Sequence, residues 1–284
     1  MRLTTKIVIG FILSIFILAL GFIIGFSFTD RVNYSWNYNT EDFNPNFERF
    51  NISQENITSI EVKPYKTILL ESEPDINDEY KYPQGTIFIK PANIPAEKNK
   101  LFIPEELSQF LNIISLNDTL TIHLKMKDLY EKYDAISQNK NSLFSIYEFN
   151  LSVHTNTVDI NNNLSEVDID IRNIKTDKIK INTLGKLNID SCQVDIIEPH
   201  IRDEHKKFRL KNSQVKELKI DLDYMTSNWM VSNCDIEVEN LTGSDSHNVE
   251  LPKSEAKVMN WIPKNKDAKL SVTLRGDTAK IVFP

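Results

Sequence analysis

Leu151-Ser-Val-His-Thr-Asn-Thr-Val158, Ile169-Asp-Ile-Arg-Asn-Ile-Lys-Thr176, Leu187-Asn-Ile-Asp-Ser-Cys-Gln-Val194, Phe208-Arg-Leu-Lys-Asn-Ser-Gln-Val215 and Trp229-Met-Val-Ser-Asn-Cys-Asp-Ile236 are five copies of one eight-residue pattern, starting 18, 18, 21 and 21 residues apart. The first column (Leu151, Ile169, Leu187, Phe208, Trp229) and the third (Val153, Ile171, Ile189, Leu210, Val231) are always apolar. Two apolar positions separated by one residue mark a short strand with one buried face. The fifth column (Thr155, Asn173, Ser191, Asn212, Asn233) holds residues that bond their own backbone and tolerate tight-turn dihedrals. A corner is therefore expected there, with the sixth column (Asn156, Ile174, Cys192, Ser213, Cys234) and the eighth (Val158, Thr176, Val194, Val215, Ile236) looking inward from the next strand.

Self-similarity at about 20 residues is the mark of stacked units that cannot bury their apolar side singly. The expected fold is all-β: a single-stranded β-solenoid over residues 151–284 with rungs of about 18–21 residues. An antiparallel sandwich with evenly spaced strands is the alternative, but gives no reason for column types to recur. Weaker echoes lie at Val249-Glu-Leu251, 20 residues beyond Trp229, and at Val272-Thr-Leu274 with Gly276 at the corner, 23 further on. As the end member of the first column, Trp229 is expected to be largely buried. Cys192 and Cys234 share the sixth column two units apart, roughly 9.6 Å at 4.8 Å per strand. That exceeds the reach of a disulfide, so both thiols are expected free.

Outward from the repeats, residues 57–150 read as an N-terminal β region. Its strands are Ile57–Val62, Thr67–Glu71, Thr86–Ile89 and Leu120–Leu124, and Pro104-Glu-Glu106 opens a short helix to about Leu111. Residues 126–142 read as a short amphipathic helix or a loop. Residues 29–56, rich in Asn and aromatics, read as a connector and possible cap, since disordered linkers are poor in aromatics. Ile7 to Phe26 is an uncharged apolar run of 20, the length of a membrane-crossing helix. The reading is one N-terminal transmembrane helix over residues 7–28, behind a cytoplasmic tip of residues 1–6. Arg2 and Lys6 precede it and Asp30 is the first charge after it, which puts the body outside the cytoplasm. A cleaved signal peptide with Gly25-Phe26-Ser27 as its site is the competing reading.

Strand Ile57-Thr-Ser-Ile-Glu-Val62, then Asp118-Thr-Leu-Thr-Ile-His-Leu124, then the repeats ending in Leu270-Ser-Val-Thr-Leu-Arg-Gly-Asp-Thr-Ala-Lys-Ile-Val-Phe283, resemble the putative adhesins of bacterial envelopes called the head GIN domain group. The resemblance spans about 57–284. It implies a right-handed, β-helix-like solenoid in the cell envelope, of unassigned biochemical role. The chain departs from the group in its few corner glycines and its apolar N-terminal run.

The chain carries −7 overall; residues 1–28 hold Arg2 and Lys6 and no acid, which leaves −9 on the rest. An acidic body with scattered lysines excludes nucleic acid as a partner, because phosphate neutralisation needs clustered cations. His200-Ile-Arg-Asp-Glu-His205 has neither the spacing nor the order of a zinc-protease motif, so no metal or cofactor is expected. Gly243-Ser-Asp-Ser-His247 contains Ser, Asp and His as sequence neighbours, whereas a triad is assembled from distant positions. The outward second column (Ser152, Asp170, Asn188, Arg209, Met230) and fourth column (His154, Arg172, Asp190, Lys211, Ser232) hold no paired carboxylates of the glycosidase kind. No catalytic residue is assigned and no enzyme is expected. The expected function is a membrane-anchored extracytoplasmic binding or adhesion module for a glycan or an envelope protein. It would sit in the periplasm, or outside a cell with one membrane. A structural part of an envelope assembly is the alternative, and a carbohydrate-active enzyme the third reading.

Overall fold

The computed structural model describes residues 47–73, 81–92, 99–134, 144–156, 158–203, 205–225, 229–251 and 256–274. These fall within one compact unit. The N-terminal region supplies β1 (Phe47–Asn51), β2 (Ile57–Glu61), β3 (Thr67–Ser72), β4 (Lys81–Lys90) and β5 (Lys100–Pro104). There follow α1 (Glu105–Ser108), β6 (Leu111–Leu116), β7 (Thr119–Leu124), α2 (Met126–Asp134) and the long β8 (Phe144–His154).

Beyond β8 the chain alternates between two sheets. β9 (Val158–Asn162), β11 (Lys175–Thr183), β13 (Gln193–Ile201), β15 (Gln214–Asp221), β17 (Asp235–Gly243) and β19 (Ala256–Pro263) enter one sheet. β10 (Val167–Arg172), β12 (Leu187–Asp190), β14 (Phe208–Lys211) and β16 (Trp229–Ser232) enter the other. The first sheet runs β16-β14-β12-β10-β4-β8-β5-β2 with β1 beside β8; the second runs β19-β17-β15-β13-β11-β9-β3-β7-β6. β18 (Ser246–Leu251) and β20 (Lys269–Leu274) form a separate pair. Buried residues of both large sheets make up one core.

The repeat columns are real neighbours from Ile169 onward. Ile169, Leu187, Phe208 and Trp229 pair in parallel register, as do Ile171, Ile189, Leu210 and Val231. Asn173, Ser191, Asn212 and Asn233 take φ of 58°, 56°, 49° and 56°. Each turns the chain from one sheet to the other in a conformation that short polar side chains tolerate. Cys192 and Cys234 are free thiols on either side of Ser213, whose Oγ accepts the Cys192 N–H at 3.1 Å.

The architecture is nevertheless not the right-handed, single-stranded β-solenoid expected from the repeat. Both large sheets are mixed, with β2–β5, β5–β8 and β6–β7 antiparallel, and neither closes. The copies starting at Leu151 and Ile169 are not adjacent: β4 lies between them, with Ile87 paired to both. The first copy also leaves the pattern, since Thr155 is buried and Val158 pairs with Ile179 rather than with Thr176. At the other end β18 pairs with β20 in the expected 23-residue register but not with β16. The physical reason is that alternation fixes which face a strand buries, while its neighbour is fixed by non-local pairing. Strands from 57–124 compete for the same edges with equally apolar faces. Trp229 sits on the edge strand β16 and is half-buried, not fully enclosed.

Among the described residues no helix is long and apolar enough to cross a membrane. The expected transmembrane helix over 7–28, the tip 1–6 and Gly276 lie outside the described residues. Of the 29–56 connector, β1 adds a strand to β8 and Phe50 packs its ring 5.2 Å from that of Tyr133.

Candidate functional site: an aromatic trough on the first sheet

The insertion of β4 beside β8 rebuilds the outward columns. Phe102 on β5 lies opposite Ser152 on β8, which lies opposite Phe88 on β4, itself opposite Asp170 on β10. Two residues along, Lys100, His154 and Lys90 form the next row. Because Ile87, Ile89, Leu101 and Ile103 point into the core, alternation turns Phe88 and Phe102 outward. They are half-buried. The His154 ring packs on Phe102 with centroids 4.3 Å apart, and Lys90 Nζ stands 5.5 Å from the centre of the Phe88 ring.

Phe88, Lys90, Phe102, Ser152 and His154, with Gln54, Ile57, Asn150 and Leu151, line an open depression of about 370 Å³. Ile57 is 53% exposed at its rim. A second depression of about 320 Å³ shares Gln54 and Asn150 with it and continues over Gln84, Thr86, Glu166, Asp168 and Lys186. Asn150 Oδ1 accepts the Thr86 N–H at 3.2 Å, and Gln84 Oε1 is a buried acceptor with no partner among the described residues. The two form one trough, apolar and aromatic at one end, amide-rich and acidic at the other. Its acids are engaged: Lys206 Nζ lies 2.8 Å from Glu166 and Lys186 Nζ 3.6 Å from Asp168. Such a surface can hold a ligand by ring stacking and hydrogen bonds.

The sequence-singled histidines serve elsewhere. His200 on β13 packs edge-on against Tyr224 at 5.6 Å, whereas the His205 N–H closes a turn on Asp203. Among the described residues no three His, Cys, Asp or Glu side chains converge as metal ligands. At the corner after β15, Asp223 Oδ1 meets His247 Nε2 at 3.0 Å and accepts the Ser244 N–H at 2.8 Å, and Lys264 Nζ bridges Asp223 and Asp221 at 2.7 Å each. Burial alone would raise the Asp223 carboxyl, but the bonds from Lys264, Ser244 and His247 outweigh it and hold it well below the usual carboxylate range. Ser244 thus addresses the carboxylate rather than the imidazole, which makes this cluster a corner clamp and not a nucleophile with its base. In the outward ladder, Arg172 grips Asp170 on its own strand at 2.6 and 2.7 Å, and Asp190 takes Asn212 at 2.9 Å.

Ser152 and His154 were legible as outward residues; Phe88, Phe102 and Lys90 were missed. The available signal was Phe88 itself, a large apolar side chain on the outward parity of Thr86-Ile-Phe-Ile89.

No family model and no curated protein matches the chain. Among solved structures it is similar to a putative lipid binding protein from Parabacteroides distasonis, at 13% identity and TM-score 0.43 over 81% of this chain and 98% of that one. It is also similar to putative adhesins from Parabacteroides merdae (12%, TM-score 0.34, covering 80% and 98%) and Bacteroides fragilis (13%, TM-score 0.37, covering 79% and 96%).

Proposed function

We propose that the chain is a non-enzymatic binding module of the bacterial cell envelope, held at a membrane by the apolar run Ile7 to Phe26, that engages a glycan in the trough on the first sheet. The observation that carries this reading is the row Phe102–Ser152–Phe88 with His154 beside it. Half-exposed aromatic faces flank a hydroxyl and lie next to the amides of Asn150 and Gln54. A sugar ring offers the complement, an apolar C–H face for the rings and hydroxyls for the amides. A lipid tail would need an enclosed apolar pocket, and this depression is open. Membership of the head GIN domain group belongs to the same reading and rests on the strand patterns quoted above.

A glycan array probed with the full chain in detergent tests it. One or more oligosaccharides should bind, and Phe88→Ala and Phe102→Ala should each weaken that binding at least tenfold with unchanged circular dichroism. Failure to bind any glycan, or equal binding by both variants, refutes the reading.

A further inference from the structure

We propose that β6 is a homodimerisation edge, through which two copies of this chain join their second sheets into one continuous sheet about a twofold axis. β6 is Leu111-Asn-Ile-Ile-Ser-Leu116, and it closes the second sheet, paired only to β7 among the described residues. An open edge is a row of unpaired N–H and C=O groups that proteins ordinarily blunt with charge, proline, shortness or a bulge. The other ends of the two large sheets carry such devices. β19 has Lys257 and ends at Pro263, β16 is four residues long, and β2 has Glu61. β6 has none: no charge, no proline, and an uninterrupted register with β7 from Leu111↔Leu124 to Leu116↔Thr119. Its outward face instead shows Ile114, 45% exposed, and Leu116, 66% exposed.

The hairpin fixes which groups are free. Asn117 and Asp118 take φ of 50° and 60°, the two-residue turn whose flanking pair, Leu116 and Thr119, exchanges hydrogen bonds. Alternate residues then point their backbone the other way, so Ile113 and Ser115 present N–H and C=O to the open edge. A twofold axis perpendicular to the sheet through Ser115 places Ser115 of each copy opposite itself, where the two exchange a pair of N–H···O=C bonds. The same operation sets Ile114 of each copy against Leu116 of the other, covering both exposed apolar side chains. The strip's own twofold complementarity selects a second copy of this strand, and charge restricts where the copies can meet. The chain beyond residue 28 carries −9, so like copies repel across most of their surface. A charge-free strip that is its own complement is where they can meet, as an isologous contact requires. The contact is small, so association is expected in the micromolar range.

The test uses the full chain in detergent. Sedimentation should show a monomer–dimer equilibrium, and Ile114→Lys with Leu116→Lys should raise the dissociation constant at least tenfold. A hydrogen-bonded antiparallel pair has Cα atoms about 5.5 Å apart, within disulfide reach. Ser115→Cys should therefore give a cross-linked dimer under mild oxidation. Asn112→Cys should not, because three residues either side of the axis separate the two copies by about 20 Å. Wild type, with Cys192 and Cys234 free, supplies the background. A chain that stays monomeric at all concentrations, a lysine double variant that dimerises as well as wild type, or equal cross-linking from positions 112 and 115 would each overturn the proposal.

Discussion

Replacing Glu239 by leucine should stabilise the fold and abolish most of its loss of stability towards alkaline pH. Glu239 lies on β17 opposite Leu218 on β15 and Met259 on β19, in an inward column that continues through Ile197 and Ile179. It is 2% exposed, and Oε1 has no hydrogen-bond partner among the described residues. Burial pushes its carboxyl up from 4.5 to about 8, with no charged neighbour contributing. Between those values the unfolded chain has given up the proton while the fold still holds it. The folded state therefore binds more protons than the unfolded one, and stability falls as pH rises. The contribution is intact below pH 4.5, and its loss is of order 3 kcal/mol at pH 7 and of order 5 kcal/mol at pH 8 and above, at 1.36 kcal/mol per unit. Glu239→Leu continues the column in kind and removes the proton. Urea unfolding of both proteins at pH 5, 7 and 9, followed by tryptophan fluorescence, isolates the effect, because every other titrating group cancels in the difference. The gap between variant and wild type should widen by several kcal/mol from pH 5 to pH 9. Two curves that run parallel would show that Glu239 reaches solvent or a partner, and the reasoning would fail.

Phe208→Ala should cost about 3–5 kcal/mol, since Phe208 is fully enclosed in the first column. Trp229→Ala, on the edge strand, should cost about 1–3 kcal/mol; equal losses in denaturant titrations would place Trp229 in the core after all. Ser191 holds φ 56° at a corner. Ser191→Gly should raise the unfolding free energy by about 0.5–1 kcal/mol and Ser191→Val lower it by about 1–2 kcal/mol, and the reverse order would deny the left-handed corner. Under native conditions a maleimide should label Cys234, which is half-buried, well before Cys192, which is buried and whose thiol burial pushes up. Peptide mapping that finds Cys192 labelled first, or a 192–234 bridge in the unreduced protein, would contradict the stacked sixth column.

The parts of the fold that were legible are those set by local chemistry. Asn173, Ser191, Asn212 and Asn233 announce the corners because few residues accept that backbone, and the columns from Ile169 to Trp229 announce shared faces. Pairing partners were not legible. Leu151 and Ile169 are 18 residues apart, the same interval as Ile169 and Leu187, yet only the second pair is adjacent in the sheet. Ile87 and Ile89 satisfy the same alternation as either neighbour, so no spacing reveals that β4 takes the place between them. The trough was hidden for the same reason. Phe88, Ser152 and Phe102 come from three separate parts of the chain, and become one surface only through pairings that close long loops.

Glu239 shows a subtler limit. Strict alternation from Ile236 would turn Val238 and Asn240 inward and leave Glu239 in water, the bland place for an acid. In the structure the inward positions of these strands step by three residues once, from Val194 to Ile197, Val215 to Leu218 and Ile236 to Glu239, and by two thereafter to Pro199, Ile220 and Leu241. The pairing register passes over one skipped residue in each strand, and there Asp195 and Lys216 pair across neighbouring strands at 2.7 Å. The repeat does carry this information, because Ile197 and Leu218 are apolar at the shifted phase in successive copies while Ile196 is followed by Glu217 at the unshifted one. An acid in such a column is a local choice at odds with the pattern around it, and the fold keeps it by keeping it protonated.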